Sequence, residues 1–284
     1  MGVEWRHFLD RSRFVRIESE GAMGGRSNGY MQILLGGGYR WSITPLLALD
    51  IMAGAGVAGG GRVDTGGGLL LDAQLGLVTQ SKSGYFFELS IGHVWAPQAS
   101  FKAHSASARI GRAFAVPKAA NQEVELADLA GYSVLPLRIR AAHQMYSRSN
   151  PRWRTHHADL GFNNLGAQVD YFPTAWLFLT GQGLAAYSGK AGAYMIGLLG
   201  LGIHLGGTVF AEAEALIGAA GGGGAAVGGG LVRQVNAGIG LRLNETTDIV
   251  AKVGRLEAFH GRFQARVWGL SLGYRFATFT RSPQ

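Results

Sequence analysis

The chain contains no cysteine. Disulfides, thiolate metal sites and a cysteine nucleophile are therefore excluded together. Proline is scarce, with 7 residues in 284, and charged residues make up only 15%, against roughly 25% in soluble domains. No apolar run is long enough for a membrane-spanning helix, which needs about 20 residues. The best stretch, Gly192 to Gly207, is interrupted by Gly197, Gly200, Gly202 and His204, and Leu46 to Gly60 carries Asp50. The net charge is +8, but no Lys/Arg run marks a nucleic-acid footprint, so nucleic acid is not an expected partner. Met1 to Arg6 has no apolar core of a signal peptide.

Glycine is abundant instead, at 46 residues, without the every-third spacing of collagen. The chain also repeats itself. Phe263 to Phe276 lies over Phe101 to Phe114 at an offset of 162 (276 − 114). Tyr194-Met195 lies over Tyr30-Met31, and Ile239-Gly240-Leu241 over Leu75-Gly76-Leu77, at 164 (194 − 30). Both copies hold a Gly-rich segment between these anchors. A long-range repeat of this kind shows how a fold is built.

The repeated unit alternates. From Leu231 to Leu243 the odd positions are Leu231, Arg233, Val235, Ala237, Ile239, Leu241 and Leu243; the even ones are Val232, Gln234, Asn236, Gly238, Gly240 and Arg242. Period two over a dozen residues marks a strand between two different solvents. Leu47 to Ala55, Leu69 to Gln80, Leu135 to Met145, Leu165 to Tyr171 and Val209 to Ile217 read the same way. The polar face is rich in Gly, Gln, Asn and isolated Arg and poor in Lys, which suits an enclosed lumen better than a water-washed exterior. Tight connections such as Ser42 to Pro45, Ser81 to Gly84 and Asn244 to Thr247 alternate with longer ones, as in outer-membrane barrels.

The expected fold is all-β: a single transmembrane antiparallel barrel of about fourteen strands, with twelve or sixteen as alternatives, made of two similar halves. Residues 1–12 form a lead-in and 13–276 the barrel: 13–114 its first half, 115–130 a periplasmic connection and 131–276 its second half. Residues 277–284 form a tail.

Counting back from Phe276, alternate residues are Tyr274, Leu272, Leu270 and Trp268, with Ala277 to Gln284 following. This pattern resembles the C-terminal strand of Gram-negative outer-membrane β-barrel proteins. The resemblance implies outer-membrane location, contact with outer-membrane lipid and lipopolysaccharide, and handling by the barrel-insertion machinery. Tyr39, Trp41, Trp95, Trp268, Tyr274 and Phe276 share the apolar phase near strand ends, where amphipathic rings form an interface girdle.

No catalytic set emerges. None of the eight histidines stands two residues before a serine, and His104 and Ser105 are adjacent, so they point to opposite faces of a strand. His156-His157 and Asp159 lack a further ligand at metal spacing, and no Gly run has phosphate-loop context. No enzyme activity, metal or cofactor is expected. The expected lumen residues are Arg138, Arg140, Asp50, Glu214, Asp72, Asn236, Glu212, Arg242, Gln168 and Asp170. Arg138 and Arg140 share one phase and are expected to leave a surplus of positive charge in a glycine-lined, open bore. The expected function is an outer-membrane channel, favoured as an export conduit for a polysaccharide or secreted polypeptide, with periplasmic export partners. The alternatives are a diffusion porin for small solutes, or an outer-membrane enzyme or structural or adhesive anchor.

Overall fold

Apolar and polar residues that alternate along the chain become strands throughout, as a computed structural model shows. It describes residues 1–281 except 26, 28, 62, 67, 82, 83, 114–131 and 193. The first seven strands are β1 (Gly2–Phe8), β2 (Arg13–Gly21), β3 (Met31–Ser42), β4 (Leu47–Gly59), β5 (Leu69–Gln80), β6 (Tyr85–Trp95) and β7 (Lys102–Arg112). Eight more follow: β8 (Tyr132–Arg148), β9 (Phe162–Tyr171), β10 (Leu177–Ala186), β11 (Met195–Gly206), β12 (Val209–Gly221), β13 (Leu231–Arg242), β14 (Thr247–Ala258) and β15 (Gln264–Arg281). No helix occurs among the described residues.

Strands β8 to β15 close into an eight-stranded antiparallel barrel, whereas β1 to β7 form a separate, open seven-stranded sheet. The single fourteen-stranded barrel expected from the sequence is therefore replaced by two units, with fifteen strands among the described residues. The cause is β8. It does not pair with β7; it runs along β15 from Ala265↔Arg148 to Arg281↔Tyr132, and its other edge pairs with β9. Alternation fixes which face of a strand meets lipid, but not which distant strand closes the ring. Two boundaries also differ. Strand β1 lies within the expected lead-in, and β15 runs into the expected tail. The 115–130 connection falls outside the described residues.

The solvent assignment holds in detail. On β13, Val235 and Ile239 are 55% and 68% exposed, while Gln234 and Asn236 point inward and are buried. Exposed leucine, isoleucine and valine on the outside of a closed antiparallel wall belong in hydrocarbon.

The seven-stranded sheet repeats the pairing of β9 to β15. Gly2↔Glu20 has its counterpart in Gly166↔Leu184, both numbers 164 higher (166 − 2). Tyr39↔Ile51 corresponds to Ile203↔Ala213, and Leu47↔Thr79 to Val209↔Leu241. Tyr85↔Arg112 corresponds to Thr247↔Tyr274. The offset drops from 164 to 162 (209 − 47) at the β3–β4 turn, where Ile43 to Leu46 is matched by Gly207-Thr208 alone. The sequence comparison put that change later, after Leu77. Asp50 therefore corresponds to Glu212 rather than Glu214, and Asp72 to Gln234 rather than Asn236. Each member faces the interior of its own unit, not opposite walls of one barrel.

The units touch where β2 and β3 pass β11 and β12. Small residues permit it: a side chain at Gly21 would collide with Ala219, and one at Gly221 with the Gly29 backbone.

The phase assignment is open to direct measurement. Single cysteines at Val235 and Ile239 are expected to react with a membrane-dissolved maleimide. Cysteines at Gln234 and Asn236 are expected to react with neither that reagent nor a water-soluble one, because both positions are buried. Labelling of the buried pair by the water-soluble reagent would mean an open bore.

The barrel interior as candidate functional site

Inward residues of the eight-stranded barrel stack in layers along its axis. At the short-turn end lie the rings of Phe172, Phe178 and Phe210, with Arg138 and Arg275 over them at 5.1 to 5.7 Å. Glycine makes room here: a Cβ at Gly202 would fall inside the Phe178 ring, and one at Gly38 would meet the Phe14 ring in the first unit. The space expected to open a lumen is thus filled by aromatic side chains.

The next layer is ionic. Arg138 and Arg140 are fully buried and share two carboxylates. Arg138 Nε and Arg140 Nε both donate to Asp170 Oδ2, at 2.9 and 2.7 Å. Their Nη2 groups take the two oxygens of Glu212, at 2.7 and 2.8 Å. Arg138 Nη1 also reaches Asp248, which accepts from Arg275 as well. His204 Nδ1 lies 3.0 Å from Glu212. The expected surplus of positive charge is absent: each arginine is matched by acids from other strands, which proximity in sequence did not reveal.

Above this layer, Lys252 Nζ donates to Glu214 at 2.8 Å and to Gln168 at 3.1 Å. Gln168 donates to Asp170, Thr180 and Glu214. Asn236 donates to Glu214 at 2.7 Å, and Gln234 continues the chain to Asn236 and Gln144. Tyr146 then donates to Gln144. One polar network thus runs from Arg275 to Tyr146. Buried ions are tolerable in such a place only when paired and hydrogen-bonded.

A stopper closes the long-loop end. In the loop between β8 and β9, Trp153 is completely buried, with its ring against those of Phe162 at 5.5 Å and Phe263 at 5.6 Å. Its Nε1 donates to Ala158 O. The neighbouring Arg154 holds the loop down through carbonyls, His157, Leu160, Gly189, Lys190 and Gly223 all accepting from it, and lies over the Phe162 ring at 5.2 Å. Four of those residues have positive φ, including the non-glycines His157 (55°) and Lys190 (53°). The backbone is bent there so that its oxygens converge on one guanidinium. Burial pushes the Arg154 pKa down.

Of the other expected residues, Asp50 and Asp72 serve the first unit. Asp50 accepts from Arg40 at 2.8 and 2.7 Å and from Arg6 at 2.8 Å, and Asp72 pairs with Arg16. Arg242 is half-buried at the short-turn rim. Trp41, Tyr39, Trp268, Tyr274 and Phe276 lie exposed on the outer face, and Trp95 is half-buried there. Sequence reading missed Glu4, Arg6 and Asp248. The first two alternate with Val3 and Trp5, a pattern visible but short. It also missed Trp153 and Arg154, which no periodicity marks because they belong to a loop.

In the first unit, Asp64 ties the β4–β5 loop to the β6–β7 loop. It accepts from Ser100 Oγ at 2.7 Å and from the Ser100 and Gly66 amides. Those donors hold its pKa below the ordinary carboxylate value, Ser100 Oγ foremost.

A closed antiparallel wall that is apolar outside and charged inside is built for lipid, since every wall strand is paired on both edges. The β8–β15 unit thus has the build of a transmembrane β-barrel. No known family's profile matches the chain, and no curated protein does. Among solved structures it is similar to a de novo designed transmembrane β-barrel, at 12% identity over 50% of this chain and 95% of that one, with a TM-score of 0.32. It is similar also to the OccK3 protein of Pseudomonas aeruginosa, at 10% identity over 97% of this chain and 69% of that one, TM-score 0.32. The outer-membrane channel DcaP of Acinetobacter baumannii gives 8% identity over 97% and 84%, TM-score 0.32.

Two measurements probe the site. Asp170→Asn removes a charge shared by two buried guanidinium groups and is expected to cost about 3–5 kcal/mol in urea unfolding. Glu257→Gln, which breaks a pair with the 61% exposed Arg233, should cost at most about 1 kcal/mol. Equal effects would mean that the network carries no special weight. For Asp64 the depressed pKa sets the sign: the tie is complete above the ordinary carboxylate pKa and is lost as pH falls through the lower folded value. Hydrogen-exchange protection of the Gly66 and Ser100 amides should fall in that acid window and be weak at neutral pH in Asp64→Asn.

Proposed function

We propose that the β8–β15 barrel is a narrow passage for ions and small solutes, closed in this state by the β8–β9 loop. The observation that carries this reading is the inner wall. Its middle is a continuous polar network from Arg275 to Tyr146, set between the Phe172, Phe178 and Phe210 layer at the short-turn end and an apolar mouth into which the β8–β9 loop inserts Trp153. A wall built only to anchor something has no need of Arg138, Arg140, Asp170, Glu212, Glu214 and Lys252 inside it, because apolar residues of similar volume are as stable or more so.

The bore argues against the export conduit. Eight strands enclose an interior just wide enough for side chains or one small ligand, far narrower than the bore of a sixteen- to eighteen-stranded porin. No polysaccharide or polypeptide fits through a ring of that size without opening it. Small-solute diffusion, the alternative reading from the sequence, fits better. A sealed wall is the second reading, favoured by the complete burial of Arg138, Arg140 and Gln234.

Planar-bilayer recording separates the two. The unaltered protein should give brief, small-amplitude openings. The double substitution Trp153→Ala, Arg154→Ala removes the stopper and its latch, and should raise the open fraction at least tenfold. If both proteins are silent while the variant keeps the folded mobility of the parent on unheated gels, the barrel is a sealed wall.

A further inference from the structure

The two units repeat each other strand for strand, with one exception. Strands β1 to β7 correspond in register to β9 to β15, so β8 has no counterpart among the described residues of the first unit. In the barrel, β8 stands between β15 and β9. The equivalent place in the first unit is the seam between β7 and β1, each of which pairs with a single neighbour among the described residues.

Three further observations point to what the seam lacks. The first is exposure. Ala103, Ser105 and Arg109 on the inner face of β7 are half-buried, whereas their counterparts Ala265, Val267 and Ser271 are buried. The second is charge. Among described residues, the inner face of the first unit carries six carboxylates (Glu4, Glu18, Glu20, Asp50, Asp72, Glu88) against four arginines (Arg6, Arg16, Arg40, Arg109). In the barrel Asp170, Glu212, Glu214 and Asp248 are matched by Arg138, Arg140, Lys252 and Arg275, with Arg242 at the rim. Two of those cations come from β8.

The third observation is the mouth. Tyr30, Leu34, Leu70, Val94 and Phe101 are the counterparts of Tyr194, Leu198, Val232, Leu256 and Phe263. The barrel's larger cluster includes Ala142 and Tyr146 from β8 and Trp153 from the loop after it. The seam thus lacks one amphipathic strand, two inward cations and an apolar stopper, and β8 brings all three to the other unit.

We propose that the β1–β7 seam is a strand-acceptor site. Its occupant is an antiparallel strand of β8's chemistry: apolar on alternate residues facing lipid, with two cationic side chains two residues apart facing the carboxylates. Strand addition supplies main-chain hydrogen bonds along both edges, and the inward pockets select the sequence. Addition of this strand turns the open sheet into a second eight-stranded barrel. Register follows from the other unit. Leu272↔Ala141 and Leu270↔His143 on β15 translate to Ile110 and Ala108 on β7, and Ala141↔Ala167 on β9 translates to Val3 on β1.

The test uses the full chain in detergent micelles and a synthetic peptide with the sequence of Val134 to Ser147. The chain has no cysteine of its own, so one can be placed at Ile110 and another, in the peptide, at the Ala141 position. A peptide adduct at Ile110→Cys is expected, with none at Leu89→Cys, an exposed position in mid-sheet. Should Ile110→Cys misfold, Ala108→Cys with the peptide cysteine at the His143 position tests the same register. A peptide carrying both Arg138→Glu and Arg140→Glu should give about tenfold less adduct, since like charges would meet at the seam. The proposal is overturned by adducts no stronger than those at Leu89→Cys, or by equal capture of the charge-reversed peptide. Chain-to-chain disulfides at Ile110 in place of peptide adducts would also overturn it, by giving the edge to a second copy.

Discussion

In hydrocarbon a strand cannot leave its N–H and C=O groups unpaired, because each costs several kcal/mol with no water to replace the partner. This constraint governs the protein. In the second unit β8 satisfies it, with one edge on β15 and the other on β9. Closure then dictates the rest. Eight strands leave a bore of side-chain width, so inward residues from opposite walls come into contact whether or not the sequence places them near one another. Arg138 and Glu212, on β8 and β12, meet at 2.7 Å for that reason alone.

The interior formed in this way is ionic, and it is stable only as a set. Asp170 and Glu212 each serve both arginines, Glu214 serves Lys252, Asn236 and Gln168, and Asp248 serves Arg138 and Arg275. In low dielectric, loss of one member exposes its partners to the full desolvation penalty, whereas a complete network rigidifies the wall. The first unit handles its excess of carboxylate with long, shared arginines. Arg109 reaches Glu18, Glu88, Gln74 and Ser90, and Arg6 joins Asp50 to Glu88.

Wall and stopper come from different parts of the chain. The ion-pair layers are contributed by strands and held in place by closure. The plug of Trp153 and its Arg154 latch are contributed by a loop and held by carbonyl contacts, which a loop movement breaks without disturbing a strand. Under the proposed function, displacement of that loop leaves the charged wall in place.

The alternation from Leu231 to Leu243 was enough to place Val235 and Ile239 in lipid and Gln234 and Asn236 inside, because period two is a local property of a pleated strand. The repeat between the two halves was legible for the same reason, down to the aromatic Phe101 and Phe263 at corresponding positions. The sequence also carried the all-β character of the chain, through its period-two alternation and its lack of a helical span. Only the tertiary structure decided that β8 returns to β15 instead of following β7, since pairing between edges residues apart by more than a hundred leaves no local pattern. With that one choice came the ring of eight in place of fourteen, the neutralisation of Arg138 and Arg140 by distant acids, and the burial of Trp153. Each depends on which walls face each other across the bore, and that is settled by closure.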